Sequence, residues 1–338
     1  MKVMISCGEP SGDLYAGALV AELRARVPDI EVFGFGGEHL RAAGAELLGD
    51  FRGLTVTGLT ESLRVVPKSL SMLRRLAAAA TTRRPDVIVA VDFPDFNLYL
   101  IRWLHRQRIP VVYYISPQLW AWRTSRMRIM QRCVNTVLVI FPFEEPIYEA
   151  AGVPVEFVGH PLVDLIPAVQ PRHAFLHQRG LLPEAPTVAL LPGSRPSEIH
   201  HIAPHLVAAL PLIRERVPGV QFVVARAPGL SNELFDQWQG SGAIVVEGQT
   251  DTVLAASDMV ITASGTATVQ AALHERPMVV VYQVSEMSYR LGKRFLKVDT
   301  FAMPNLIAGQ RIVPELIQED FTPERVAEEA IQLLTDPV

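Results

Sequence analysis

Short apolar runs alternate along this chain with longer segments in which apolar residues recur at helical spacing. Leu14, Ala18, Leu19 and Leu23 show the second pattern, which predicts a helix with one face turned towards a core. The predicted strands are Lys2–Cys7 and residues 30–33, 86–91, 111–115, 136–140, 155–158, 188–191, 221–225, 244–246, 259–262 and 278–282. Because strands alternate with helices, we expect βαβ units, parallel sheets and a binding site formed by loops at the carboxyl ends of the strands.

The middle of the chain predicts a domain boundary. The sequence has 338 residues, which favours two domains at a prior of about 150 residues each. Residues 162–186 contain four prolines and lack a strong strand pattern, so we interpret them as a connector with a small helix. The predicted domains are residues 1–166 and 167–305, followed by a helical segment at 306–338. The predicted fold class is α/β, with two Rossmann-like domains that have parallel sheets and face a shared cleft.

Three turns rich in small residues follow predicted strands, at residues 8–13, 192–198 and 264–268. Each leads into a predicted helix, whose first N–H groups and positive dipole end favour an anion such as a diphosphate. Arg195 adds a bidentate fork for phosphate, although pairing with a surface carboxylate is the simpler interpretation of a single arginine. Small residues also serve ordinary tight turns, and Ser11 or Asp13 is a candidate cap for the first helix.

The sequence lacks two motifs that would indicate a bound ATP or NAD. It has no P-loop lysine motif, and the glycines at 34–37 do not directly follow the first strand as a dinucleotide fingerprint requires. The three turns together therefore favour a nucleotide-sugar over ATP or NAD.

Composition narrows the class of protein. Hydrophobic residues make up 49% of the chain and charged residues 20%, as in a globular protein with an ample core, and the net charge of −4 gives no sign of a nucleic-acid partner. With only Cys7 and Cys133 present, we expect no disulfide and a reducing compartment. The charged residues Glu9 and Asp13 lie too near the N-terminus to leave room for the apolar segment of a signal peptide. The longest uncharged apolar run, at residues 109–122, is shorter than the roughly 18 residues of a membrane span.

Candidate catalytic groups lie at strand ends. A carboxylate there can take a proton from an attacking hydroxyl; we favour Asp92 as this base and a helix-capping role for Asp95. Their spacing differs from the Asp-x-Asp metal clamp of other sugar transferases, and no His/Cys cluster has metal-ligand spacing, so no metal is expected. His160 is a candidate for orienting a sugar, and Trp122 for stacking on a sugar or acyl chain. A hydrogen-bonded loop histidine and a tryptophan packed on its own sheet are the alternatives.

Residues 63–76 mix apolar and basic side chains, as does a helix that lies on an anionic membrane face. An outer helix with a solvated basic face is the alternative. The residues that we assign to a membrane-facing side are Leu63, Val65, Val66, Leu70 and Leu73.

Eight motifs resemble, in this order and over nearly the whole chain, those of the bacterial lipid-A-disaccharide synthases. They are Gly-Glu-Pro-Ser-Gly-Asp at 8–13, Val-Asp-Phe-Pro-Asp-Phe-Asn at 91–97, Ser-Pro-Gln-Leu-Trp-Ala-Trp-Arg at 116–123, Phe-Pro-Phe-Glu at 141–144, Gly-His-Pro at 159–161, Leu-Pro-Gly-Ser-Arg at 191–195, Ala-Ser-Gly-Thr-Ala at 263–267 and Pro-Asn-Leu at 304–306. One such motif arises easily by chance, whereas the collinear set is specific.

The resemblance implies a GT-B glycosyltransferase that is inverting and metal-independent and needs no cofactor, because the UDP-sugar is a substrate. It implies condensation of UDP-2,3-diacylglucosamine with 2,3-diacylglucosamine 1-phosphate (lipid X) to give the β-linked lipid A disaccharide phosphate and UDP. The first domain would face the acceptor and the membrane, and the second would bind the UDP-sugar. The implied partners are the two substrates, an anionic inner-membrane surface and a second copy in a homodimer, with no nucleic acid. The implied location is cytoplasmic, peripheral to the inner membrane.

The motifs and the resemblance together assign residues to tasks. Asp92 matches the family's essential carboxylate, and residues 63–76 match its membrane-docking region. The residues that we assign to the UDP-sugar are Arg195, Gly193, Ser194, Ser264, Gly265, Thr266 and Gln270. Those that we assign to the cleft or the acceptor are Glu9, Ser11, Gly12, Asp13, Asp95, Trp122, His160, Glu198 and Asn305.

The sequence departs from the family at two places. Gln270 stands where the family usually has Glu, at a position that contacts the ribose hydroxyls in related transferases. The amide of Gln270 can still form hydrogen bonds to the two hydroxyls, but without the charge assistance that a carboxylate provides. Family members also continue past the position of Val338 with helices that return to the first domain and exchange between subunits, so we expect a truncated tail.

Two other functions stay open on the sequence. One is a UDP-N-acetylglucosamine epimerase, or another GT-B transferase with a soluble acceptor, which leaves the basic amphipathic segment unexplained. The other is a non-catalytic two-domain nucleotide-sugar-binding protein with a hinge at residues 162–171.

Overall fold

The structure is a computed structural model that describes residues 1–53, 59–117, 119, 126–284 and 300–336, with residues 53 and 59–65 described by their backbone alone. The described chain divides into two compact units, residues 1–161 and residues 162–284 with 300–336. The division falls between Pro161 and Leu162, a few residues before the predicted boundary.

Unit 1 consists of β-strands that alternate with helices. Its elements are β1 (Lys2–Cys7), α1 (Pro10–Arg26), β2 (Glu31–Gly36), α2 (Glu38–Ala42), β3 (Glu46–Asp50), α3 (Leu59–Arg83), β4 (Val87–Val91), α4 (Pro94–Leu104), β5 (Val111–Tyr114), α5 (Met127–Cys133), β6 (Thr136–Val139), α6 (Glu145–Ala150) and β7 (Val155–Phe157). The seven strands form one parallel sheet in the order β3-β2-β1-β4-β5-β6-β7. The order reverses between β1 and β4, where Cys7 pairs with Val91.

The two faces of this sheet are covered by different helices. Leu76 of α3, Ile101 of α4 and Met130 of α5 are fully buried in one cluster with Met4 of β1. Burial of each such side chain stabilises the fold by about 1.5–3 kcal/mol. Because successive strand residues point to opposite faces, Cys7 lies on the other face from Met4, against α1.

Unit 2 repeats the pattern with a smaller sheet. Its elements are α7 (Leu162–Leu165), α8 (Arg172–His177), β8 (Thr187–Leu191), α9 (Pro196–Arg216), β9 (Gln221–Arg226), β10 (Ala243–Glu247), α10 (Thr250–Ala256), β11 (Met259–Ala263), α11 (Thr266–Leu273), β12 (Met278–Tyr282), α12 (Met303–Ala308), β13 (Glu315–Ile317) and α13 (Pro323–Thr335). The six strands are parallel, in the order β10-β9-β8-β11-β12-β13. Here the order reverses between β8 and β11, where Leu191 pairs with Thr262.

All the predicted strands are present, and their ends differ by at most one residue except in β2, which continues to Gly36. The sequence did not predict β3 and β13, which lie at sheet edges. β3 begins with Glu46 and ends with Asp50, and β13 has three residues of which the first is Glu315, so neither contains enough apolar residues for the pattern to predict a strand.

The predicted separate segment at 306–338 is wrong. β13 pairs with β12 in the sheet of unit 2, and α13 packs on α9. Phe321 and Val326 are buried in the same cluster as Leu206 of α9. The described end of the chain is therefore part of the second unit.

Candidate active site

The candidate residues gather at the reversal point of each sheet. In open parallel sheets, ligands bind outside the carboxyl ends of the strands where the strand order reverses. In unit 1 these ends are followed by Gly8 after β1 and by Asp92 after β4. In unit 2 they are followed by Pro192 after β8 and by Ser264 after β11. Topology thus places side by side, within each unit, the ends of two strands whose candidate residues the sequence had predicted separately.

Asp92 has a strained backbone that three hydrogen bonds hold in place. Its φ is +43°, in the left-handed region, and the following Phe93 has a φ of +49°. The Asp92 N–H donates to the Tyr114 carbonyl at 3.1 Å. The Asp92 carbonyl accepts from Asn97 Nδ2 and from the Tyr113 hydroxyl, both at 2.8 Å. Such strain costs about 1–3 kcal/mol and is concentrated at functional sites, so this geometry supports Asp92 as a reactive group.

Asn97 is a site residue that sequence reasoning did not assign. Its Oδ1 accepts from the Ser6 hydroxyl at 2.6 Å, and its Nδ2 donates to the carbonyls of Ser6, Val91 and Asp92. The side chain is fully buried and ties the ends of β1 and β4 together. The signal was present in the motif at 91–97, because a buried amide one turn into a helix next to a strand end needs partners on the strands.

The N-terminus of α1 lies at the same edge of the sheet. Glu9 is the N-cap residue and its side chain does not cap the helix; Pro10 occupies the first helical position. Glu9 and Ser11 are half-buried and Gly12 is buried. The prediction that Ser11 or Asp13 caps this helix is wrong.

The assignment of Asp13 to the cleft or acceptor is also wrong. Its carboxylate is 2% exposed and accepts backbone N–H groups from Gly37, His39 and Leu40 at 2.7, 2.9 and 3.2 Å. Asp13 therefore caps the start of α2, a neighbour that the sequence spacing did not reveal. Its role is structural because both carboxylate oxygens are taken by the backbone.

Asp95 and His160 have different surroundings from those expected. Asp95 does not cap α4, whose N-cap residue is Phe93; it is largely exposed and pairs with Arg126 at 2.6 Å. The His160 ring meets the Tyr15 ring edge-on, with centroids 5.9 Å apart, and lies 5.5 Å from the Phe141 ring. Burial lowers the pKa of His160 to about 4, so its imidazole is neutral at physiological pH. Trp122 lies outside the described residues.

In unit 2, the turn before α9 is filled by its own acidic side chain. Glu198 Oε2 accepts from the N–H groups of Ser194 and Arg195 at 2.9 and 3.2 Å, and Oε1 pairs with the Arg195 guanidinium at 3.1 Å. Gly193 has a φ of +121°, and a Cβ there would lie 2.6 Å from the Glu198 side chain. The expectation that these amides await a diphosphate is wrong, because Glu198 occupies them. Its assigned role as a cleft residue changes to holding this turn and Arg195.

Arg195 extends from this turn with its side chain half exposed. Tyr282 at the end of β12 lies close to it: burial raises the tyrosine's pKa, the charge of Glu198 raises it further, and that of Arg195 opposes the change. Tyr282 was not predicted, since the sequence gives no sign that the end of β12 meets the turn before α9.

The turn before α11 is the more open anion site. Its N-cap residue Gly265 has a φ of +147°. Among the residues that the structure describes, no side chain caps the helix and none lies within 4 Å of where a Cβ would stand. The Ser264 hydroxyl donates to the Phe301 carbonyl at 3.1 Å, which fixes the turn. Thr266 begins the helix and is exposed. This uncapped turn can accept an anion with its backbone N–H groups.

Gln270 lies one turn further along α11. Its Nε2 donates to Asp251 Oδ1 at 3.5 Å, and the same oxygen lies 3.0 Å from His274 Nε2. The amide is thus turned so that its nitrogen faces Asp251. Its oxygen is the acceptor that remains for a ligand.

The assignment of Asn305 to the cleft or acceptor is wrong. The residue is 1% exposed. Its Oδ1 accepts from the N–H groups of Ile312 and Val313, and its Nδ2 donates to the Val313 carbonyl and to Glu315. The amide bonds residues 312 and 313 of the loop before β13 and Glu315 at the start of that strand, so Asn305 holds the loop against β13.

The helix predicted to face a membrane is only partly turned outward. Val66 is exposed, Leu70 is half-buried, and Leu73 is 7% exposed and packs in the core of unit 1. The membrane-facing assignment of Leu73 is therefore wrong; Leu63 and Val65 fall where side chains lie outside the described residues. None of the described helices combines the length and apolar character of a bilayer span.

A concavity of about 570 Å³ lies at the opposite edge of the second sheet. Arg172 and Asp258 line it, and their side chains pair with each other at 2.8 Å. Because Arg172 and Asp258 are already paired with each other and the concavity opens at the amino ends of the strands, we do not assign it a ligand. In the described part of the chain, no group of three or more His, Cys, Asp or Glu is arranged to hold a metal.

Comparison with known proteins identifies the family. The model of the lipid-A-disaccharide synthetase family matches residues 3–337. A lipid-A-disaccharide synthase from Myxococcus xanthus is 47% identical over 331 residues, which cover 97% of this chain and 86% of that protein. Two solved structures share the fold. The calicheamicin glycosyltransferase CalG4 has a TM-score of 0.59 at 17% sequence identity, with 99% of this chain and 90% of that chain covered. A UDP-GlcNAc 2-epimerase from Neisseria meningitidis has a TM-score of 0.62 at 13% sequence identity, with 100% of this chain and 92% of that chain covered.

The two parallel sheets with their helices give the two-domain α/β architecture of the GT-B glycosyltransferases. At these levels of identity the solved structures establish the fold alone, whereas the family match and the relative from Myxococcus xanthus establish the family and its activity. The chain belongs to the lipid-A-disaccharide synthase family and is a glycosyltransferase that forms the lipid A disaccharide.

Proposed function

We propose that this enzyme condenses UDP-2,3-diacylglucosamine with 2,3-diacylglucosamine 1-phosphate, releasing UDP and forming a β-linked disaccharide phosphate with inversion. The new bond joins an acceptor hydroxyl oxygen to the anomeric carbon of the donor as the bond from that carbon to UDP breaks. The proton of the hydroxyl passes to Asp92. The single observation that carries this proposal is the strained, triply hydrogen-bonded backbone of Asp92 at the reversal point of the first sheet.

A base at this position contributes most when it is held still. A positioned carboxylate that accepts a proton in the transition state typically contributes 10²–10⁴ in rate. Asn97 and Tyr113 fix the Asp92 carbonyl, and Tyr114 fixes its N–H, so the carboxylate starts from a determined backbone position. This arrangement supports general-base catalysis because little reorganisation precedes proton transfer.

The second unit supplies positive charge for the leaving diphosphate. Arg195, oriented by its 3.1 Å contact with Glu198, and the uncapped N-terminus of α11 at Gly265 are the groups that we assign to it. We assign Gln270 to the ribose hydroxyls through its side-chain oxygen, with Asp251 holding its nitrogen. The proposed reaction needs no metal or cofactor, since a guanidinium and helix N–H groups stabilise the diphosphate directly.

We also propose that the enzyme docks on an anionic membrane through the outer surface of α3, α4 and α5. Between Asp95 and Glu144 the sequence has seven arginines and no acidic residue, although the whole chain is net negative. On this surface, Tyr99 and Trp103 stand one helical turn apart on α4 and are 52% and 43% exposed. Exposed aromatic side chains among basic residues suit a lipid–water interface. The exposed basic residues are Lys68, Arg74 and Arg75 on α3, Arg102 on α4 and Arg128 and Arg132 on α5.

The experiment that tests the reaction supplies both substrates together and identifies the product by mass spectrometry. Formation of UDP and the tetraacyl disaccharide phosphate in equal amounts supports the proposal. UDP release without the disaccharide, or UDP-sugar binding without turnover, contradicts it.

A further inference from the structure

Tyr15 on α1 has a buried hydroxyl that no neighbour satisfies. The residue is 4% exposed, and its hydroxyl has no hydrogen-bond partner in the part of the chain that the structure describes. An unsatisfied buried hydroxyl costs about 1–3 kcal/mol, and native proteins contain few of them. Its presence therefore requires an explanation beyond packing.

The position of this hydroxyl is set by the geometry of α1. Gly12, one turn earlier on the same face, lies against the ends of β1 and β4: a Cβ there would be 3.6 Å from the Cys7 Cβ and 3.9 Å from the Val91 carbonyl oxygen. Helical side chains lean towards the N-terminus, so the Tyr15 ring extends back to this edge of the sheet. There it meets the His160 ring at 5.9 Å with an interplanar angle of 89°. Tyr15 thus reaches the carboxyl edge on which Asp92 stands.

The electrostatic surroundings make this hydroxyl a donor. Burial raises the pKa of Tyr15, and the nearby Tyr114 and the Asp92 charge raise it further, so the phenol stays protonated. The negative charge of Asp92, which acts on Tyr15, disfavours an anionic ligand at its hydroxyl. A neutral oxygen, such as that of a sugar hydroxyl, is the partner that fits both groups.

We propose that Tyr15 is an acceptor-binding residue whose hydroxyl donates a hydrogen bond to a neutral sugar oxygen of the substrate that Asp92 deprotonates. The inference rests on the proposed function of Asp92. The unsatisfied hydroxyl lowers the stability of the unliganded protein, and the hydrogen bond to the acceptor offsets this loss on binding. Proteins commonly keep such a destabilising group where function needs it.

The test replaces Tyr15 with Phe, which removes only the hydroxyl. We expect the KM for 2,3-diacylglucosamine 1-phosphate to rise about tenfold with the KM for the UDP-sugar unchanged, because one hydrogen bond to the acceptor is lost. We expect the thermal midpoint to be unchanged or higher, because the unsatisfied group is gone. Unchanged acceptor kinetics would overturn the proposal, and so would a lower midpoint with both KM values altered together.

Tyr148→Phe is the matched control in the same unit. Tyr148 is fully buried like Tyr15, but its hydroxyl donates to the Pro117 carbonyl at 3.1 Å. Its removal leaves that carbonyl with the Leu119 N–H as its remaining donor, at 2.6 Å, and removes one buried hydrogen bond. We therefore expect a lower midpoint and an unaltered KM for the acceptor. Equal acceptor effects in the two variants would overturn a specific role for Tyr15.

A binding measurement separates this inference from the proposed reaction. The acceptor, in detergent micelles and without UDP-sugar, should raise the thermal midpoint of the wild type more than that of Tyr15→Phe, whereas UDP should stabilise both equally. If the wild type binds the acceptor but forms no disaccharide, the reaction fails and this comparison still decides the role of Tyr15. If the wild type binds no acceptor, both are overturned.

Discussion

The ring of Phe93 packs against Gly8 so closely that a Cβ at residue 8 would overlap it. Gly8 is the first residue after β1, and Phe93 follows Asp92 after β4, so this contact joins the two turns of the first unit. The φ of Gly8 is not in the left-handed region, whereas that of Phe93 is +49°. Gly8 is therefore required for the space it leaves, and the position of Asp92 depends on a residue that carries no side chain.

We expect Gly8→Ala to displace Phe93 and, with it, Asp92. Overpacking of this kind costs about 1–3 kcal/mol, and turnover should fall at least about tenfold. Gly12→Ala is the control for stability, because a Cβ there makes ordinary contacts of 3.6 Å or more. Steady-state rates of Gly8→Ala and thermal midpoints of both variants check the expectation. Unchanged turnover of Gly8→Ala, or equal losses of stability in the two variants, would contradict it.

Asp92→Asn should fold normally and lose at least about 10² in kcat. Asn tolerates the left-handed backbone and keeps the size of the side chain, but it cannot accept the proton. Asp86→Asn is the control at the other end of β4, where the Asp86 carboxylate accepts from the Lys2 N–H. Rates measured beside unfolding curves check this. Near-wild-type turnover of Asp92→Asn would remove Asp92 as the base.

Arg195→Ala should weaken UDP binding about tenfold or more, because a charged hydrogen bond to the diphosphate is lost. Arg216→Ala, at the other end of α9 and exposed, should leave the affinity unchanged. Titration calorimetry with UDP compares them. An unchanged Kd for the Arg195 variant would count against its assignment.

The buried His160 should make stability depend on pH. Its pKa is about 4 in the folded protein, below the roughly 6.5 of an unfolded chain, so the unfolded state binds more protons between these values. The free energy of unfolding should therefore fall as the pH falls from about 6.5 towards 4. His160→Gln should show a smaller loss between pH 7.5 and 5 in urea unfolding than the wild type, and the exposed His177→Gln should match the wild type. Identical slopes in all three proteins would refute the prediction.

Trp103→Ser should reduce co-sedimentation with vesicles that contain phosphatidylglycerol, and added salt should reduce binding of the wild type. Leu182→Ser is the control, because Leu182 is 69% exposed but lies in the second unit. Binding that is insensitive to Trp103 and to salt would exclude this surface as the docking site.

The sequence by itself determined the strands, the α/β class and the turns at the strand ends, since these depend on local hydrophobic patterns and on small residues with polar neighbours. It also carried the order of motifs that identifies the family. These are properties of short segments, so they survive without knowledge of what each segment contacts. The strands β3 and β13 were not predicted because each contains too few apolar residues for the pattern to appear.

Only the tertiary structure decided the tasks of the polar side chains. Asp13 and Glu198 have the same chemistry as Asp92, yet one caps α2 and the other fills the turn before α9. Asn305 bonds a loop, whereas Asn97 and Tyr15 lie at the site without having been assigned to it. The physical reason is that the free energy of a polar side chain depends on which donors and acceptors surround it when it is buried. Strand order and packing set those partners between residues that are distant in the sequence.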